Sequence, residues 1–277
     1  MNGLIGVAAA TAAAISFGTA DFAGGLGSRR WTALGAATVV QLVGLPAVVL
    51  IAVLVSEPWS ATAIGVGLAA GLAAAIGLLA LYSALAAGSM GIVTGITGVA
   101  VAGFALAFDA AMHNVIPTPL QGVGVATALA AGLLATIGGW SARRAIVLAL
   151  FAGIAFGGCF VLFDLGAGNG PLWMLGGARA TASAILGLQW VMADRTPIHR
   201  IGFLLIGAGL LDTAANGLMI LAITLIPVGL AASVAAVAPP IVTMLLAHIV
   251  LREALPARGY VAFGLACVGI MLIVFGW

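Results

Sequence analysis

Apolar runs of about 20 residues, each closed by a short polar or charged break, follow one another along the whole chain. They predict ten spans, roughly 3–23, 32–55, 62–87, 91–112, 120–140, 145–165, 172–193, 201–225, 227–250 and 257–276. Each is long enough for a helix crossing a hydrocarbon core of ~30 Å, which takes about 20 residues. The breaks leave no room for a soluble domain or a long linker. The opening MNGLIGVAAATAAAISFG has no basic start. It therefore predicts a first span rather than a cleaved signal peptide.

The pattern occurs twice. Gly91 is echoed by Gly229, and Val99-Ala100 by Val237-Ala238, at an offset of 229 − 91 = 138. Ile15 to Gly18 is echoed by Ile154 to Gly157 at 139, and Ile64-Gly65 by Ile201-Gly202 at 137. Two copies, 1–140 and 141–277, each carry five spans. Five is odd, so the second copy is expected to enter the membrane inverted.

Charge placement fits that expectation. All nine basic residues are arginine. Arg29 and Arg30 follow span one, Arg143 and Arg144 span five, Arg195 and Arg200 span seven, Arg252 and Arg258 span nine. By the positive-inside rule the odd-numbered loops are cytoplasmic and both termini lie outside, in the periplasm of a bacterial-type inner membrane.

Composition sharpens the class. Hydrophobic residues make up 64% of the chain and charged ones 6%, with mean hydropathy +1.31, whereas soluble domains carry about 25% charge. An all-α integral membrane protein is the expected class. Forty glycines suit close helix approach in lipid. Cys159 and Cys267 lie in apolar runs and are expected as buried thiols. No metal-ligand spacing, cofactor motif or nucleotide-binding loop occurs, which excludes an ATP-driven pump within this chain. The expected partners are the bilayer and a small-molecule substrate, not nucleic acid, with the chain a monomer or homodimer.

The ends of the two copies carry a resemblance. Ala84 to Gly91, then Ile226-Pro227-Val228-Gly229 and Val237-Ala238-Pro239-Pro240, together with the turn Leu251 to Pro256 and Gly259, resemble the drug/metabolite transporter superfamily and its EamA-type ten-span exporters. The first copy reads His113 to Pro119 at that turn and lacks the glutamate present as Glu253. The resemblance implies a cavity built from spans one, three, four, six, eight and nine. It also implies export of small metabolites; relatives of this size include amino-acid exporters of the YddG type, and others move nucleotide sugars, triose phosphates or lipid-linked sugars.

Several residues could carry that chemistry. Asp212 falls about eleven residues into span eight, near mid-membrane at 1.5 Å per residue, with Asn216 on the same face. An ionisable group at that depth faces a cavity or a partner. Without a basic neighbour in sequence, Asp212 is expected to be unpaired and to bind a proton or ammonium. Arg179 is expected to be structural, paired with Asp164 at the outer end of span six. Asp21 either pairs with Arg29 or Arg30 or works as a gate. Pro239 and Pro240 cannot donate to the carbonyls of Ala235 and Ala236, which predicts free carbonyls beside a cavity. Thr94 and Thr97, before Val101 to Gly103, suggest a matching break in span four. Tyr82 is a weaker binding candidate, and His248, beside Glu253, is a possible switch.

Three functions compete on these residues. The first is export of a small metabolite, foremost an amino acid, by alternating access. The second is a flippase or exporter of lipid-linked sugars or drugs, which would favour basic residues in the cavity. The third, an intramembrane enzyme, needs an acid pair, a Ser–His dyad or metal ligands, none of which stands at the required spacing.

Overall fold

Apolar runs separated by capping residues become helices here, since in lipid every backbone group must be satisfied within the segment. The computed structural model describes residues 2–116, 118–136, 140–193, 202–252 and 257–276. Its helices are α1 (Asn2–Arg30), α2 (Ala33–Leu54), α3 (Ala61–Ala87), α4 (Met90–Met112), α5 (Pro119–Thr136), α6 (Trp140–Gly166), α7 (Pro171–Ala193), α8 (Phe203–Ile223), α9 (Val228–Ala235), α10 (Ala238–Leu251) and α11 (Ala257–Phe275). Thr32 and Ser60 start α2 and α3 by accepting from the main-chain N–H of Gly35 and Ala63.

Seven stretches of the described residues are long and apolar enough to cross a membrane. They are Asn2–Arg30, Ala33–Leu54, Ala61–Ala87, Met90–Met112, Arg143–Gly166, Phe203–Ile223 and Val228–Leu251, the last running through α9 and α10. Large apolar side chains face outward along them, as Leu54 (72% exposed) and Ile249 (72%) do. The chain is a multi-pass membrane protein.

Helix α3 lies on α6 and α7, α1 on α8 and α10, α4 on α6, α9 and α10, α2 on α7 and α8, and α5 on α11. Small residues set the closest of these approaches. A Cβ added at Gly177 would sit 2.7 Å from the Ile64 carbonyl, and one at Gly67 or Gly71 would overlap the carbonyl of Met174 or Ala178. Helices α3 and α7 therefore meet backbone to backbone, the arrangement lipid-embedded helices favour.

Besides a small cluster of Val99, Ala102, Leu106 and Ala236, two large apolar cores form. One gathers Ala13, Phe163, Met174 and Val228; the other gathers Phe22, Leu85, Met90 and Leu205 nearer the arginine-bearing end of α1.

The ninth run is broken where the prolines require it. Ala236 N donates back to Ala232 and Ser233, and Val237 N to Val234, closing a tight turn before α10 starts. Among the described residues no hydrogen bond reaches the Ala235 or Ala236 carbonyl, as expected. The matching break expected in span four is absent. Helix α4 runs unbroken from Met90 to Met112, because Val101 to Gly103 contains no proline and keeps its full set of amide donors.

The turn from Glu253 to Pro256, with Arg195, Arg200 and Trp277, lies outside the described residues.

Candidate functional site

A cavity with an empty volume of about 850 Å³, its open mouth included, lies among α1, α2, α3, α4, α6, α7, α8 and the α9–α10 break. The resemblance implied six of these elements; α2 and α7 are additional, and they bring Gln41 and Arg179. Of the expected binding residues, Asp212, Asn216, Thr94, Thr97, Ala235, Ala236 and Pro239 line it, as do Asp21 and Arg179. The rest of the wall is mostly apolar. Phe17, Phe160 and Phe163 form a stepped aromatic side, with ring centroids 6.1 Å apart for Phe17–Phe160 and 6.4 Å for Phe160–Phe163.

The remaining candidates sit elsewhere. Tyr82 is buried against Gly24, where a Cβ would overlap its ring. Pro240 is buried outside the cavity wall, and His248 is exposed near the end of α10.

The charged centre differs from the expected pairing. Arg179 Nη1 donates to Asp212 Oδ2 at 2.6 Å and to Gln41 Oε1 at 2.7 Å. Asp212 is therefore ion-paired rather than unpaired, and Asp164 is not the partner of Arg179. The reason is space and direction. Gly44 on α2 leaves a slot for the arginine, since a Cβ there would lie 3.2 Å from Arg179 Nε. Through that slot the side chain reaches α8, whereas Asp164 sits at the far end of α6. Arg179 is 2% exposed. Its Nε and Nη2 are buried with no hydrogen-bond partner among the described residues.

Asn216 does not bridge to the Asp212 carboxylate. Its Nδ2 donates to the Asp212 main-chain carbonyl at 2.8 Å, and Thr213 likewise turns back to Gly209. The hydroxyls of Thr94 and Thr243 lie 2.8 Å apart between α4 and α10, and Thr97 donates to Val93 and Ala149. These threonines tie helices together while bordering the cavity.

Asp21 does not take the first of its two expected roles. It does not pair with Arg29, which donates from Nε to Leu85 O and from Nη2 to Gly88 O, holding the end of α3. Asp21 instead lines the cavity, and among the described residues it has neither a hydrogen bond nor an ion pair.

A second cluster, of which the sequence reading singled out only Asp164, lies at the opposite end of the bundle from Arg29 and Arg30. Asp109 is 0% exposed. Its Oδ2 accepts from Gly229 N at 2.7 Å, at the N-terminus of α9. Its Oδ1 lies 2.9 Å from His113 Nδ1, and His113 Nε2 is 3.8 Å from Asp164 Oδ2. At the same end Glu57 accepts from Leu172 N and Trp173 N at the start of α7.

Residues 143–275 match the EamA-like transporter family. Over that second half the chain is similar to EamA-like transporter domains. That is consistent with the drug/metabolite transporter superfamily suggested by the sequence. No curated relative matches the chain by sequence. Twenty solved chains match; one crystal structure is 15% identical, with a TM-score of 0.63, covering 95% of this chain and 97% of its own. At that identity the likeness concerns the fold alone.

An EamA-like domain, a multi-pass bundle and a cavity enclosing charge describe a membrane transporter of the drug/metabolite type. The cavity offers carboxylates, free carbonyls and an aromatic wall, a set suited to holding a polar cationic group beside an apolar body.

Proposed function

We propose that the protein is a secondary transporter that exports small metabolites, foremost amino acids, across a bacterial-type cytoplasmic membrane by alternating access. It has ten spans, built as two inverted five-helix copies meeting near residue 140, with both termini periplasmic. The observation that carries this reading is the buried link from Gln41 to Arg179 and Asp212. Gln41 belongs to the first copy, the other two to the second, and 179 − 41 = 138 is the offset of the repeat. Equivalent positions on α2 and α7 thus touch each other, as residues beside a two-fold axis do.

Helix contacts support the same axis. Exchanging α1 with α6, α2 with α7, α3 with α8, α4 with α9–α10 and α5 with α11 turns α3–α6 into α8–α1, α3–α7 into α8–α2, and α4–α6 into α9–α1 and α10–α1. The pairs α2–α7 and α5–α11 return to themselves, and all of these contacts occur. A polar link shared by both copies beside the cavity is where a rocking motion would change the site.

Export from cells overexpressing the protein, screened over amino acids and their analogues for protection from toxicity, tests the reading. It requires protection by at least one class, lost in Asp212→Asn at equal expression. Equal protection by wild type and variant across every class would contradict it.

A further inference from the structure

The charges of the cavity do not balance. Its lining includes two carboxylates, Asp21 and Asp212, and one guanidinium, Arg179. The guanidinium is spent on Asp212 and Gln41 through a single nitrogen, and its other two nitrogens are buried rather than turned to the open space. Asp21 is left over. Titratable and charged groups face it from three neighbouring helices: Asp212 on α8, Arg179 on α7 and Tyr82 on α3, whose ring sits against Gly24 one turn from Asp21. None of them is hydrogen-bonded to it. An uncompensated carboxylate among apolar walls is costly, and a proton or an incoming cation relieves that cost.

We infer that Asp21 is the anchor of an ammonium-binding subsite, and that the cavity takes an amine with an apolar body in preference to a zwitterion. This inference rests on the transporter reading and narrows its substrates, placing amines ahead of the amino acids named above. Phe17 lies one turn before Asp21 on the same helical face and continues into Phe160 and Phe163. An ammonium at Asp21 therefore has aromatic faces beside it, and the carbon body of its ligand has a wall to lie on. Ala235 and Ala236, whose carbonyls accept no hydrogen bond among the described residues, also line the cavity, and carbonyls freed at such a break supply negative dipole ends. A substrate carboxylate has no comparable partner, because Arg179, the one cation lining the cavity among the described residues, is covered. The ammonium and a proton compete for Asp21, so acidification weakens amine binding.

Calorimetric titration of the detergent-purified full chain with phenethylamine, phenylalanine and 2-phenylethanol tests this. The amine is expected to bind roughly tenfold more tightly than either analogue, the size of one well-placed charge contact. Asp21→Asn is expected to remove that preference and to leave 2-phenylethanol binding unchanged, which shows that the cavity is still formed. Asp21→Glu should keep most of the preference. Equal affinity for the three probes, no amine binding to wild type, or full preference in Asp21→Asn would each overturn the subsite. Transport is read separately in proteoliposomes. Asp21-dependent binding without flux would reject the transporter reading and leave the subsite standing. Flux indifferent to Asp21→Asn would do the reverse.

Discussion

Two buried carboxylates in this bundle have the same chemistry and opposite circumstances. Asp109 is closed: both of its oxygens are engaged, one by the Gly229 amide at the start of α9 and one by His113, and no surface remains to it. Asp212 is open: it has one strong ion pair, and its side chain is still 11% exposed on the cavity side. A fully satisfied carboxylate at a helix N-terminus gains from the helix dipole and fixes geometry. A carboxylate satisfied on one side only, with a second, unpartnered one in the same cavity, holds capacity for something not yet bound. Burial alone does not separate the two, since both residues are buried. The count of engaged oxygens does.

The sharpest way to break this contrast is Arg179→Ala. Removing one member of a buried pair costs about 3–5 kcal/mol, because the other is stranded. The melting temperature in detergent should fall markedly, and Asp212→Asn added to it should recover much of the loss. Asp109→Asn should cost about 2–3 kcal/mol, since an amide cannot accept from both Gly229 N and His113. Gln41→Ala should cost about 1–2 kcal/mol, as Nη1 of Arg179 keeps Asp212 when it loses its neutral acceptor. Asp164→Asn should be smallest, about 0.5 kcal/mol or less, because its contact with His113 is long and both groups reach solvent. Thermal unfolding of the four purified variants checks the order. An Asp164→Asn loss as large as that of Asp109→Asn would break the distinction.

The membrane class, the helical runs and the broken ninth segment are legible in the sequence because each follows from local chemistry: apolar length, capping residues and two missing amide donors. The residues of the cavity are legible for the same reason, since Asp21, Arg179 and Asp212 are conspicuous charges inside apolar runs. Their partners are not. Which carboxylate Arg179 reaches depends on how α7 is rotated and on the slot at Gly44, and nothing local to Arg179 records either. One partner did leave a trace. The spacing of 138 between Gln41 and Arg179 equals the offset of the sequence echoes, and under the proposed two-fold arrangement such a pair would meet. Asp109 was missed because its role is set by the N-terminus of α9, more than a hundred residues away in sequence. The expected break in α4 failed because the echo between the copies did not include the prolines.

The most direct measurement is flux per folded molecule in proteoliposomes for Asp212→Asn and Asp109→Asn side by side, using the best substrate from the export screen. If the open carboxylate is the working one, Asp212→Asn loses at least about tenfold in flux per folded molecule, beyond the fall in melting temperature that stranding Arg179 brings. Asp109→Asn then melts earlier and transports at the wild-type rate below its melting temperature. Wild-type flux through Asp212→Asn, or loss of flux confined to Asp109→Asn, would contradict the account.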